Sequence, residues 1–238
     1  MRIDKLLSDM GLLSRKETAK AVRRAQITVD GVVATSPAIH VDPDVQTVAY
    51  RGEPIVYRRY TYVLLNKPTG YVSATEDTRL PYVTELLPTE LRRMELFPVG
   101  RLDRDTTGLM LLTNNGPLAH ELLSPRHHVE KVYRFTCEHP LCDGCEERFL
   151  HGVTIGGYAC KPAVLVADDD RMGGYLTLTE GKYHQVKRML EAVDNRVLTL
   201  ERERFGPLTL DDTLPRGAFR YLTDEEQAAL ACMAKSDV

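Results

Sequence analysis

The 238-residue sequence has no apolar run approaching the ~18 residues that a membrane span needs. Its opening, MRIDKLLSDMG, mixes charges with short apolar pairs and lacks a signal-peptide core. Low-complexity tracts and repeats of roughly 20 to 50 residues are missing too. A cytoplasmic globular protein that makes no membrane contact is the expectation, with length for one sizeable domain and a small one. The chain carries no Walker loop, GxGxxG, GxSxG or HExxH, so the generic nucleotide, hydrolase and metalloprotease templates all fail. Cysteine is sparse, at five residues, and only "CDGC" (Cys142, Cys145) has metal-like spacing, with His139 and His151 nearby. No second CxxC follows, Cys160 is distant, and no redox βαβ context surrounds the pair. No metal, disulfide framework or cofactor is expected.

Net positive charge is also absent: the total is −3. The distribution is uneven, however. Residues 1–24 hold Arg2, Lys5, Arg15, Lys16, Lys20, Arg23 and Arg24 against Asp4, Asp9 and Glu17, giving +4 and leaving −7 for the rest. A local basic patch of this kind is what phosphate contact requires.

The hydrophobic pattern predicts short helices over 3–10 and 14–25, the second opened by a Ser14–Glu17 capping box. "ITVDGVVA" predicts a hairpin about Asp30–Gly31, and 51–60 reads as a hinge. Strands are expected at 61–66, 107–113, 131–137, 162–167, 174–179 and 196–204. Helices are expected at 81–87, 117–123, 143–151, 183–193 and 223–234, the last with a Thr223–Glu226 capping box. Strands without regular intervening helices point away from a doubly wound sheet. The expected class is α+β: a small N-terminal module at 1–59, then a mixed, mainly antiparallel sheet flanked by helices at 60–238.

Four stretches gather polar groups in apolar surroundings. "LLNKPTGY" ends a strand with Asn66 and Lys67, and "VGRLDRDTTGL" places Arg101, Asp103, Arg104 and Asp105 together. "EKVYRF" puts Lys131, Tyr133 and Phe135 on one face of a strand. In "EGKYHQVKRMLEAV", Val186, Leu190 and Val193 form a buried stripe, while His184, Lys187 or Arg188, and Glu191 face the other way. Taken singly, each has a commonplace reading as a solvated helix face, a packed tyrosine or a turn aspartate.

Taken together and in this order, "NKPTG", "GRLDRDTTGL", "EKVY" and "EGKYHQVKRM" resemble the A-type pseudouridine synthases that modify the small ribosomal subunit. "RIDKLLSDMGLLSRKETAKAVRRAQITVDG" resembles the S-four RNA-binding fold that these enzymes carry in front. The resemblance spans nearly the whole chain. "SPRHHVEKVY" and the tail from Glu201 are most similar to the enzyme acting on uridine 516 of 16S rRNA, the alternative being a large-subunit uridine. It implies that Asp103 is the nucleophile, that Tyr133 packs on the flipped base, and that Arg101 wedges into the stack the base leaves. Lys187 falls where many relatives pair an arginine with the aspartate; no role falls to Arg104. RNA contacts are expected from Arg2, Lys5, Arg15, Lys16, Arg23, Arg24, Asn66, Lys67, His184 and Arg188. The partner implied is small-subunit rRNA, in a partly assembled particle, engaged by a monomer.

The chemistry suits these residue types. Isomerising uridine breaks a glycosidic bond and remakes it through carbon, with no redox change. An ionised carboxylate in an apolar pocket needs a neighbouring cation, hence Lys187 near Asp103. The base leaves its stack at a few kcal/mol, of which a tyrosine face recovers about 1–3. If 99–103 continues as a strand, Arg101 and Asp103 share a face; Asp105 then closes an Asx-turn. The rival readings are a non-catalytic RNA-binding assembly factor, which the basic N-terminus alone would support, and a metalloprotein built on CDGC.

Overall fold

The computed structural model describes residues 1–124 and 126–233, which fold as two compact units. The first comprises Met1–Thr61 and Leu87–Leu96, the second Tyr62–Leu86 and the chain from Phe97 on.

The first unit holds α1 (Ile3–Asp9), α2 (Arg15–Arg23), β1 (Ile27–Val29), β2 (Val32–Val33), β3 (Val48–Tyr50), β4 (Glu53–Pro54) and α3 (Thr89–Arg93). The Ser14 hydroxyl accepts from the Glu17 amide and the Glu17 carboxylate from the Ser14 amide, so α2 begins with the reciprocal box its sequence predicts. Asp30 and Gly31 both have positive φ, which turns β1 into β2 with the twist a two-residue hairpin needs. Residues 51–54 are not a hinge. Arg51 and Gly52 repeat the same turn, and β4 pairs with β3 at the edge of a four-stranded sheet ordered β2-β1-β3-β4, where Pro54 costs no internal bond. Ile3, Leu6, Leu7, Ala21, Val22, Ile27 and Val48 form the core.

The second unit is built on β5 (Tyr62–Lys67), β6 (Phe97–Pro98), β7 (Thr107–Thr113), α4 (Gly116–Leu123), β8 (Lys131–Cys137), α5 (Cys145–His151), β9 (Thr154–Ile155) and β10 (Tyr158–Ala159). It continues with β11 (Val164–Ala167), β12 (Gly173–Leu178), α6 (Gln185–Glu191), β13 (Val197–Phe205), β14 (Leu208–Thr209), β15 (Phe219–Tyr221) and α7 (Asp224–Met233). The main sheet runs β11-β12-β8-β13-β7-β5-β15; β13 and β7 are parallel and the other neighbours along it antiparallel. The class is therefore α+β with a mixed, mainly antiparallel sheet. Leu64, Leu109, Leu111 and Phe205 of the sheet pack with Ala119 and Leu122 of α4 and Leu230 of α7. Thr223 and Glu226 cap α7 reciprocally, while residue 234 of the expected helix lies outside the described residues. The helix expected at 81–87 is a single 3-10 turn, Val83–Leu86. Among the described residues, no helix is long and apolar enough to cross a membrane.

One row of paired residues crosses the middle of the sheet. Lys67 pairs with Gly108, Gly108 with Arg202, Arg202 with Tyr133, and Tyr133 with Leu176. Gly108 is required where the parallel strands meet: its φ is +100°, and an added Cβ would stand 2.3 Å from the Arg202 carbonyl oxygen.

Candidate active site

Asp103 is not on a strand. The pairing ends after Pro98, and residues 99–106 form a loop that returns to the sheet at Thr107. Gly100, at φ +81°, breaks the alternation that made the stretch read as extended. Three bonds from the segment after β5 shape this loop. The Ser73 hydroxyl donates to the Leu102 carbonyl at 2.7 Å and accepts from the Leu102 amide at 2.9 Å. The Gly70 amide donates to the Arg104 carbonyl at 2.8 Å. Lys67 is 0% exposed, and its Nζ donates to the carbonyls of Asp103 at 3.0 Å and Thr106 at 2.8 Å, with longer bonds to Arg104 and Pro68. Burial lowers the Lys67 pKa to about 8, against the opposing pull of Asp105 and Asp103.

Helix α6 supplies the opposing cation. His184, in the left-handed region at φ 50°, turns the chain into the helix, and Gln185 ties that turn by donating to Glu180 and accepting from the Lys182 amide. Lys187 Nζ stands 3.0 Å from an Asp103 oxygen and 2.6 Å from an Asp105 oxygen, and His184 Nε2 lies 3.5 Å from Asp103. Burial works against the Lys187 charge, but the two carboxylates prevail and raise its pKa. Burial also acts on Asp105, where the Lys187 hydrogen bond and charge outweigh it and carry the pKa down.

The two aspartates share a lysine but not an environment. Asp103 faces an open cavity of about 1050 Å³, lined also by Arg101, Tyr133, His184 and Arg202. The Asp103 side chain is 26% exposed and the Asp105 side chain 70%. The expected Asx-turn at Asp105 is replaced by the bond to Lys187. Tyr133, 9% exposed, reaches the cavity from β8.

Other expected contacts fall elsewhere. Lys67, expected to meet RNA, is enclosed by backbone carbonyls. Asn66, 5% exposed, donates to the Leu214 carbonyl at 2.8 Å and accepts from Arg216 at 2.7 Å, so it braces the segment before β15. Arg188 does not line the cavity; its guanidinium lies against Gly156 in the β9–β10 turn. In the first unit Arg15, Lys16, Arg23 and Arg24 are exposed, whereas Arg2 is paired with Asp4 and Lys5 with Asp9. The signal that could have exposed the roles of Asn66 and Lys67 is their place at the end of β5, an apolar strand buried on both faces. Ser73 had no such signal.

No group of three or more metal-binding side chains occurs among the described residues. Burial, then the Cys142 neighbour, pushes the Cys145 thiol up to about 12, so it holds its proton at neutral pH.

The Asp103–Lys187 pair and the cavity that Asp103 lines thus sit on a mixed, mainly antiparallel sheet, in a chain whose separate N-terminal unit carries an exposed basic helix. The sequence profile described as RNA pseudouridylate synthase matches residues 61–192, and that of the S4 domain matches 1–46. The chain belongs to the RNA pseudouridylate synthase family, which makes it an isomerase. It is 47% identical over 230 residues to an uncharacterized RNA pseudouridine synthase of Bacillus subtilis, covering 95% of this chain and 96% of that one. It is 45% identical to the ribosomal small subunit pseudouridine synthase A of Yersinia pestis (97% and 98% covered) and 42% to that of Escherichia coli K12 (97% and 100%). A crystal structure of a pseudouridylate synthase superposes with a TM-score of 0.68 at 33% identity, covering 97% of this chain and 99% of that one.

Proposed function

We propose that this protein converts one uridine of small-subunit rRNA, uridine 516 of 16S rRNA, to pseudouridine, with Asp103 as the nucleophile. The observation that carries the reading is the Lys187–Asp103 pair at 3.0 Å: of the two loop carboxylates that Lys187 meets, Asp103 is the one that lines the cavity. Relatives named for small-subunit rRNA, at 42–45% identity over nearly the full length, support the substrate class.

In the reaction the Asp103 carboxylate attacks the flipped-out nucleoside and is later released. The C1′–N1 bond breaks, a C1′–C5 bond forms, the C5 proton departs, and N1 gains a proton. Atoms and electrons balance without a cofactor. Tyr133 offers a ring face to the extruded base, and Arg101, exposed at the cavity, enters the gap it leaves. The exposed Arg15, Lys16, Arg23 and Arg24 bind RNA phosphates through the S4 domain. The test is chemical mapping of pseudouridine in rRNA from cells with and without the gene. Purified protein is assayed alongside on free 16S RNA and on assembling particles. Loss of the modification at that uridine alone supports the reading; an unchanged map refutes it.

A further inference from the structure

The cavity wall contributed by β8, β12 and β13 consists of Lys131, Tyr133, Leu178, Leu200, Arg202 and Phe205. Two cations stand in this otherwise apolar wall, and among the described residues neither is paired with a carboxylate. Arg202 is 2% exposed; its Nε donates to the Leu109 carbonyl at 2.9 Å, and a terminal guanidinium nitrogen is buried without any hydrogen-bond partner. Lys131 Nζ donates to the Val129 carbonyl at 2.6 Å, one bond of the three an ammonium offers. Both cations stand over the Phe205 ring, 5.6 and 5.1 Å from its centroid.

Two neighbouring buried cations without a carboxylate partner are an unfavourable arrangement. Burial, reinforced by the Arg202 charge, lowers the Lys131 pKa to about 8. Burial lowers Arg202 as well, and the Tyr133 phenol is the group that counters it. Uncompensated buried charge is costly, and a negative charge arriving in the cavity relieves that cost.

We propose that Lys131, backed by the buried Arg202, forms an anion-stabilising site for the uracil ring. The Lys131 ammonium donates to a ring carbonyl oxygen while the base is detached from the sugar. When C1′–N1 breaks, its electron pair stays on the ring and spreads to the carbonyl oxygens; it is used again when C5 bonds to C1′. This rests on the reading of the cavity as a uridine site. Lys131 joins Asp103 as a catalytic residue, since it touches the uracil ring, and Arg202 is a positioning residue beside it. A backbone phosphate is the other anion an RNA could bring. The apolar wall with its tyrosine favours the ring, since exposed Arg101 and Arg104 already offer cations to phosphates.

Two measurements on Lys131→Met, Lys131→Gln and Lys131→Arg test this. The first is single-turnover conversion of an RNA bearing uridine or 4-thiouridine at the target, with RNA affinity measured alongside. The Met and Gln variants should react with uridine about 100- to 1,000-fold more slowly, as for the loss of an oxyanion donor. Affinity and its salt slope should stay within about twofold. The more acidic thio ring should lose several-fold less, and Lys131→Arg should recover most of the rate. Equal losses on both substrates, or a loss of affinity at unchanged rate, would overturn the proposal, the latter in favour of a phosphate contact. The second measurement needs no turnover. Barbiturate, a uracil-shaped anion, should bind the wild-type protein at least tenfold more tightly than neutral uracil. That preference should vanish in Lys131→Met and Lys131→Gln and persist in Lys131→Arg. No preference in the wild type overturns the inference even if the protein makes pseudouridine. A preference without pseudouridine formation refutes the function reading instead.

Discussion

The buried ammonium of Lys67 donates to the backbone carbonyl of Asp103 at 3.0 Å, so the backbone of the proposed nucleophile is held by a lysine with no exposed surface. Further bonds to Thr106, Arg104 and Pro68 make Lys67 the knot of the loop. Lys67→Met should therefore leave RNA affinity near wild type, cost roughly 1–3 kcal/mol of stability from unsatisfied carbonyls, and slow turnover at saturating RNA at least tenfold. Melting, affinity and rate measured together separate this from a direct RNA contact, whose loss would weaken affinity first.

The same lysine carries a pH signature. Its folded pKa is about 8 against an unfolded value of about 10.5, so between those limits the unfolded chain binds more protons and stability rises with pH. The unfolding free energy of the wild type minus that of Lys67→Met should grow by roughly 1 kcal/mol per pH unit from pH 8 to 10. Denaturant titrations across that range check it, and a flat or falling difference would show that burial does not lower the Lys67 pKa in the fold.

Lys187 answers both loop carboxylates, at 3.0 Å from Asp103 and 2.6 Å from Asp105. Lys187→Met should abolish turnover at neutral pH, because Asp103 is left without its ammonium partner in a partly apolar cavity. Lys187→Arg should keep at least a tenth of the rate, since the longer fork also reaches a carboxylate. Single-turnover assays at saturating RNA distinguish these outcomes.

Arg23 and Arg24 are exposed at the end of α2. Replacing both with alanine should weaken RNA binding and flatten its log–log salt dependence by about 0.7–1 per lost phosphate contact, with turnover at saturation unchanged. An unaltered slope would mean that this helix end faces away from RNA.

Much of this arrangement is legible in the sequence. The α2 capping box, the Asp30–Gly31 hairpin and the long strands follow from local periodicity and turn chemistry, which tertiary contacts here reinforce. The GRLD stretch singles out Asp103 through its resemblance, and the spacing of α6 puts Lys187 or Arg188 on the face opposite the buried stripe, of which the structure pairs Lys187 with Asp103. What stayed hidden depends on partners distant in sequence. A lysine at the end of a strand reads as a surface cation until four carbonyls are seen around it. Arg202, within the alternating "ERERF", reads like any strand charge, yet it meets Gly108 and Tyr133 at the centre of the sheet. Residues 99–103 alternate as a strand does, and Gly100 at positive φ, with bonds from Ser73, Gly70 and Lys67 some thirty positions away in sequence, makes them a loop.

The central claim is that Asp103 reacts and Asp105 does not. Asp105 is largely exposed and shares Lys187 across a bond of the kind that contributes about 0–1 kcal/mol at a surface. The decisive measurement is pseudouridine formation on the same 16S RNA by purified Asp103→Asn and Asp105→Asn, with melting and RNA affinity confirming that both are folded and bind. Asp103→Asn should form no detectable pseudouridine, because an amide cannot act as the nucleophile, while Asp105→Asn should retain substantial activity. An active Asp103→Asn, or an inactive but folded and RNA-binding Asp105→Asn, would contradict the account.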